Sequence, residues 1–369
     1  MSLSAALLPL TAAHAAAQAP APALTAATTD AFGRIADSVL SDRTAALVEG
    51  AAPSLSAASA VKATGGVRVA ADLAKSEASA VTSLHGTRSR LAALGEAYTD
   101  GDTKVTVDST RLRGRTATVL VTEATTLTYA KIRGDEPATT GFTAHHELVF
   151  TAAADGTWQL TRERITDRGP RPVNEPVAVT AAAPVRPSAV IDAPKSAITY
   201  PAPANPKNLG SGTTYNYAAM ATYAEKYWKN YNTAYRRYNN AGGDCTNYLS
   251  QSLYAGGWKQ VTNSREDYDT WYSVTSGESD TWIGVNEWSW FTQTAKRTSA
   301  LANAYQMDVG DVLQVDFDKD GAKDHSMMTT YRSSSGVPYL TYHDADTYRR
   351  SLSSLIASYP NSAYYAYRS

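Results

Sequence analysis

The sequence predicts an α+β protein in two units joined by a proline-rich linker, and three observations predict it. Apolar residues recur at helical spacing early in the chain and again beyond its middle. Runs rich in β-branched and aromatic residues follow each helical stretch. Nine of the sixteen prolines fall between Pro170 and Pro206, in a stretch with no sustained periodicity. The expected boundaries are an N-terminal α+β accessory domain at 28–167, a linker at 168–208 and a second domain at 213–369.

At the start of the chain, Leu3 to Leu10 is a short apolar stretch followed by small residues, and Ala13-His14-Ala15 fits an A-x-A cleavage site. Residues 1–17 therefore read as a signal peptide, and the mature protein is expected to be secreted. No Lys or Arg precedes Leu3, which points to a start further upstream. No run of about 18 apolar residues occurs elsewhere, so no stable membrane insertion is expected.

In the first unit, Phe32, Ile35, Val39 and Ala46 follow a Thr29/Asp30 cap candidate at helical spacing, and Leu73, Val81, Leu84 and Leu91 suggest a second helix. The period then changes. Residues 105–108, 116–132, 142–152 and 158–165 carry strand-forming residues, and Asp155-Gly156 is a hairpin signal. Helices over an antiparallel meander resemble cystatin-like or nuclear-transport-factor-2-like domains. His145 and Glu147 share one strand face and His146 takes the other, too few ligands on one side for a metal site, so polar cross-strand pairs at a sheet surface are the reading.

Composition bounds the function. With 43% apolar residues and a net charge of −1, the chain is globular and gives no electrostatic case for nucleic acid. Its 23 tyrosines and seven tryptophans gather in the second half, where they can build a core or line a groove. The first of these segments, Tyr215 to about Tyr231, is an amphipathic helix whose aromatic face reads as core.

Cys245 is the one cysteine in the chain, so it has no intrachain disulfide partner. It follows Gly242-Gly243-Asp244, and Asp244 is a good N-cap residue; Leu249 and Leu253 are four apart and Gly256-Gly257 is a stop. Cys245 thus begins a helix, where the dipole and unpaired N–H groups favour a thiolate and can stabilise an oxyanion. That environment points to a nucleophile.

A thiolate needs a base. His14 goes with the signal, and His85, His145 and His146 lie across the linker, which leaves His325 and His343. His325 leads the second of two strands joined by the Asp-rich turn 318–321, and is the better base. That turn also imitates the opening of a calcium loop, but Met327 stands where a bidentate Glu is needed, so a hairpin connection is preferred and no metal or cofactor is expected. Asn239 and Asn240, just upstream of the cysteine, are oxyanion candidates, although Asn before Gly commonly serves a turn.

Gly-Gly-Asp-Cys-Thr-Asn-Tyr-Leu-Ser-Gln-Ser-Leu-Tyr-Ala-Gly-Gly at 242–257, Tyr-Ala-Glu-Lys-Tyr-Trp at 223–228, Gly310-Asp311, Asp324-His325-Ser326 and Tyr342-His343 together resemble the amidase domain family of bacterial exported proteins. That family is related in layout to the papain-like NlpC/P60 and CHAP cysteine hydrolases. The resemblance implies an α+β, papain-like fold over about 213–369, with the helix-start cysteine packed on an antiparallel sheet, and supports Asp244, Thr246, Asn247 and Gln251 as motif residues. It implies amide-bond hydrolysis with Cys245 as nucleophile and His325 as base. Such enzymes often place a histidine third, which favours His343; hairpin register leaves Asp344 open as the alternative.

The expected function is thus an exported cysteine amidase or peptidase acting on an amide or peptide, peptidoglycan being one candidate. Acyl transfer by the same cysteine is a variant of it. A different class of reading is a non-catalytic secreted module that binds glycan or peptide through the aromatic region from Trp258 to Trp290.

Overall fold

The computed structural model describes residues 23–50, 63–64, 66–176, 190–210 and 213–369, so the expected signal segment lies outside the described residues. In chain order the first half holds α1 (Ala26–Ala45), β1 (Ala63–Thr64), β2 (Val67–Val69), α2 (Ala71–Ala93), β3 (Tyr98–Arg113), β4 (Thr116–Tyr129), β5 (Thr139–Ala152) and β6 (Trp158–Ile165). The second holds α3 (Tyr217–Tyr227), α4 (Cys245–Ala255), β7 (Ser273–Val274), β8 (Gly277–Glu278), α5 (Asp280–Ile283), α6 (Val285–Thr294), β9 (Ser299–Leu301), β10 (Val312–Asp316), β11 (His325–Arg332), β12 (Pro338–Tyr342), β13 (Thr347–Ser351), α7 (Leu352–Ser358) and β14 (Ala363–Arg368). The protein is α+β as its sequence predicts.

Helix α1 begins earlier than its periodicity suggests, because Thr25, not Thr29 or Asp30, accepts the capping hydrogen bond from the Thr28 N–H. Its face of Phe32, Ile35 and Val39 packs against Phe150, Trp158 and Leu160 of the meander. Strand β3 runs well beyond the predicted segment at both ends, its burial low along the outer stretch. Paired only with β4, it needs few apolar residues, so hydrophobic patterning sees only its middle.

One twelve-stranded sheet crosses both halves of the chain. The junction is β5, which pairs with β4 along its length and, on its other edge, with β6 at one end and β13 at the other. Thr347 faces Phe142 and Tyr348 faces Gly141, and the Thr143 N–H donates to the Asp346 carbonyl at 2.9 Å. Side chains continue the join: Tyr129 meets Tyr339 edge-on at 5.5 Å, and the Tyr98 hydroxyl bonds Ser354 Oγ at 3.0 Å. One apolar cluster accordingly contains Tyr98, Leu127 and Phe142 together with Leu340, Tyr342 and Leu355.

The proline-rich segment is not a free spacer where it is described. Ser196 N–H donates to the Tyr364 carbonyl at 2.7 Å and Ala197 N–H to the Ala302 carbonyl at 2.8 Å, so this stretch runs along the sheet. Its prolines remove donors and favour extended backbone, which suits a segment held at a few points.

In the second half, β10, β11, β12 and β13 form an antiparallel run, and α3 and α4 lie across it. Trp258, Trp271, Trp282 and Trp288 are wholly buried behind α4. They interlock there, Trp271 and Trp282 at 4.5 Å and Trp258 and Trp271 at 5.5 Å between ring centroids. The aromatic region that a glycan platform would need is therefore core.

Candidate active site

Helix α4 starts at Cys245 and packs on β11, whose first residue is His325. The start is fixed by Gly242 and Gly243, both at positive φ, where a residue with a Cβ is strained; at Gly243 that Cβ would also lie 2.5 Å from Asp344 Oδ2. The motif residues then hold the helix in place. Thr246 Oγ1 bonds Ser326 Oγ on β11 at 3.0 Å, Asn247 Oδ1 accepts from Trp282 Nε1 at 3.0 Å, and Gln251 Oε1 accepts from the Tyr223 hydroxyl at 2.8 Å.

Asp244 occupies the N-cap position, but its carboxylate does not cap the helix. Oδ1 accepts instead from the Tyr238 N–H and from Asn247 Nδ2, both at 2.9 Å, and Oδ2 accepts from His343 Nδ1 at 2.7 Å. The free amides go to another residue: Asp344 Oδ2 accepts from the Asp244 and Cys245 N–H groups at 2.8 and 3.2 Å.

The two candidates for a third member thus separate. His343 Nδ1 faces the Asp244 carboxylate and Nε2 faces the Tyr227 carbonyl at 2.9 Å, two acceptors that require both ring nitrogens to carry protons. Burial lowers its pKa, but the bond to Asp244 and the nearby Asp346 charge outweigh it and the pKa is raised. Stacked between Tyr231 and Tyr248, each 3.9 Å from it between ring centroids, His343 is a buried imidazolium with no free lone pair. Both of its ring nitrogens are engaged by acceptors other than His325, whereas Asp344, the alternative to it, lies beside His325.

Cys245 Sγ, a ring nitrogen of His325 and a carboxylate oxygen of Asp344 all lie within 4.8 Å of one another. Register explains the gathering. A β-bulge between Thr329 and Tyr331 shifts the β11–β12 pairing by one residue, and the register from Met328↔Thr341 carried onward puts Asp344 opposite His325. Both ring nitrogens of His325 are buried without a hydrogen-bond partner. Burial, and then the charge of His343, lower its pKa to about 3, so the ring is neutral.

This arrangement disfavours the expected thiolate. Burial, and then the Asp344 charge, push the Cys245 thiol up to about 12, while the N–H groups that would favour a thiolate are occupied by Asp344. Asp344 itself is pushed up to about 7, by burial and then by Asp244. Alkylation of the native chain by iodoacetamide should accordingly keep rising as pH increases through 8 to 10, since only the thiolate reacts and its fraction grows towards a pKa of about 12. A rate that levels off below pH 8 would contradict that.

Asn239 Nδ2 donates to the Tyr231 hydroxyl at 2.7 Å and reaches Asp344 Oδ1 at 3.4 Å; Asn240 lines a 410 Å³ cavity beside Asp344. A second cavity, of 290 Å³, has Cys245 in its wall beside Gly242, Gly243, Ile283 and Glu287. The nucleophile candidate therefore borders a space that a small group can enter.

Residues 214–367 match the family model of the putative amidase domain. This places the cysteine helix, the His325 strand and the Asp344 turn within one recognised domain. The chain is also similar to an uncharacterised protein, YhbB, of Bacillus subtilis (strain 168), at 25% identity over 159 residues, 39% of this chain and 50% of that protein. The chain thus spans about half the length of that relative. Among solved structures, a likeness of TM-score 0.23 and 17% identity to the intermembrane space region of the chloroplast protein ARC6 covers 36% of this chain and 95% of that one. A likeness of that degree carries no argument.

The other sequence candidates fall outside this cluster. His145 bonds Asp167 and Glu147 meets Arg164 as surface cross-strand pairs, but His146 lies in the interior, held by Glu123 and Glu163. Glu163 and Glu175 could join His146 around an ion, yet the Arg43 guanidinium already bonds both of them and Glu77. In the turn after β10, Asp316 accepts from the Lys319 and Gly321 N–H groups at 2.6 and 3.1 Å, as a tight connection requires. Sequence reasoning missed Gly169, which packs on His325; an Arg-Gly-Pro run in a linker carries no signal of that.

Proposed function

We propose that this protein is an exported, cysteine-dependent amide hydrolase with Cys245 as nucleophile, His325 as base and Asp344 as the third polar group. The observation that carries the reading is the approach of these three side chains within 4.8 Å at the start of a helix, inside the segment that matches an amidase domain. The Cys245 proton passes to His325 as sulfur attacks the amide carbonyl; His325 returns it to the leaving amine. Water, deprotonated by His325, then cleaves the thioester to free acid and thiol.

A Cys245 N–H released from Asp344, with the Asn239 amide beside it, supplies donors for the oxyanion. The 290 Å³ cavity is the route by which the carbonyl reaches sulfur. Export and the shared layout with wall-active hydrolases make cell-wall peptide the first substrate to try.

The experiment incubates the mature protein with purified peptidoglycan and a panel of peptide amides, with and without an added amine, and reads products by mass spectrometry. Free acid as the product supports hydrolysis; conversion of the acid to the new amide when amine is added assigns acyl transfer. The same three donor atoms are close enough to hold a metal ion, so a chelator arm separates the two chemistries. Turnover should survive dialysis against EDTA. Loss restored by added zinc would make Cys245 a ligand instead of a nucleophile.

A further inference from the structure

The segment Thr166–Glu175 leaves the end of β6 and passes directly over the proposed catalytic base, His325. Gly169 sits at φ +83, and a Cβ built there would lie 2.9 Å from His325 Nδ1, 3.1 Å from its Cε1 and 3.3 Å from Asp344 Cβ. No side chain separates the segment's backbone from the imidazole. His325 is 0% exposed beneath it, whereas Cys245 borders the 290 Å³ cavity, which no residue of the segment lines.

The segment is tied to both halves of the protein. Arg171 N–H donates to the Tyr359 hydroxyl at 2.5 Å, and Arg350 Nη1 donates to the Arg171 carbonyl at 3.0 Å. Val173 and Asn174 are buried, and Asn174 Nδ2 donates to Glu123 Oε1 at 2.8 Å. The fit is incomplete: Nε and Nη1 of Arg171 are buried without a partner, a cost that release into water removes. Opening the segment breaks these contacts and the Asp167–His145 and Arg43–Glu175 pairs near its ends, and breaks no strand pairing.

What it covers decides the consequence. Thioester hydrolysis needs water at a ring nitrogen of His325, and both nitrogens are sealed from solvent with no partner at all. The closed form therefore cannot complete the reaction. We propose that Thr166–Glu175 is an autoinhibitory strap: it keeps His325 covered and idle, and its displacement uncovers the imidazole. The inference rests on the reading of Cys245 and His325 as the catalytic pair. The neutral state of the imidazole under the strap agrees with a latent site.

The test measures the rate of His325 acylation by diethyl pyrocarbonate at pH 7, read by peptide mapping, in the full chain and in Gly169→Ala. An alanine at this φ is strained and has no space, so the closed strap is destabilised while the sheet is untouched. Acylation of His325 should rise about tenfold, the shift that about 1.4 kcal/mol gives, with a cooperative thermal transition retained. A folded Gly169→Ala whose His325 is acylated at the native rate overturns the strap.

Should that variant fail to fold, the native chain answers in dilute urea. Acylation of His325 through local strap opening varies little with urea, whereas acylation only through global unfolding follows the steep dependence of the whole chain and contradicts the proposal. Amide turnover by Cys245→Ala and by His325→Ala separates the two claims. If Gly169→Ala raises His325 acylation but turnover survives both substitutions, the strap stands and the catalytic pair fails; turnover lost in both with no effect of Gly169→Ala on acylation gives the reverse.

Discussion

Alanine in place of Cys245 abolishes amide turnover and leaves the fold intact. Sulfur is the only atom of the cluster that can form the thioester, since His325 lacks the geometry of a nucleophile toward the 290 Å³ cavity in whose wall Cys245 stands. Removing the nucleophile of a hydrolytic triad costs on the order of 10⁶ in turnover. The fold should hold because the sulfur makes only weak contacts, to Thr246 Oγ1 at 3.7 Å and to the Ser326 backbone, and the helix is fixed by Thr246, Asn247 and Gln251. Product formation by mass spectrometry and a thermal melt read both halves of this prediction. Undiminished hydrolysis by a folded Cys245→Ala would remove the cysteine from the mechanism.

Asp244→Ala acts in the opposite way, on stability first. The Asp244 carboxylate accepts from His343 Nδ1, the Tyr238 N–H and Asn247 Nδ2, and all of it is buried. Without it the imidazolium loses its counter-charge inside the core, and breaking a buried pair from one side costs about 3–5 kcal/mol. Urea unfolding should show that loss. Asp244→Asn keeps one acceptor for the imidazole and should lose less. If Asp244→Ala is as stable as the native chain, His343 is not a buried cation.

Much of the site was legible because its signals are local. A Gly-Gly-Asp-Cys lead-in followed by leucines four apart predicts a helix start, and α4 begins at Cys245. A histidine after an Asp-rich turn predicts a strand start, and β11 begins at His325. What escaped the sequence is long-range. Asp344 comes opposite His325 through a single bulge near Thr330, since the Arg332↔Pro338 register carried straight on would put Ala345 there, and a residue count around a hairpin cannot place a bulge.

The surroundings of the thiol are long-range for a related reason. A helix N-terminus favours a thiolate only while its N–H groups are free, and here a carboxylate about a hundred residues downstream takes them. The linker was drawn from proline content, which reports local backbone, whereas the pairing of β5 with β13 that joins the flanking units leaves no such local mark. His146 was read as a surface residue because alternation assigns faces without saying which face is covered.

The most direct measurement is acid quenching during turnover of an amide substrate, with both the native chain and Gly169→Ala, followed by peptide mapping of the protein by mass spectrometry. The account predicts an acyl mass increment on Cys245 that is lower in occupancy in Gly169→Ala, where water reaches His325 and clears the thioester, and absent from Cys245→Ala. Turnover with no increment on Cys245, or no turnover by either protein, would contradict it.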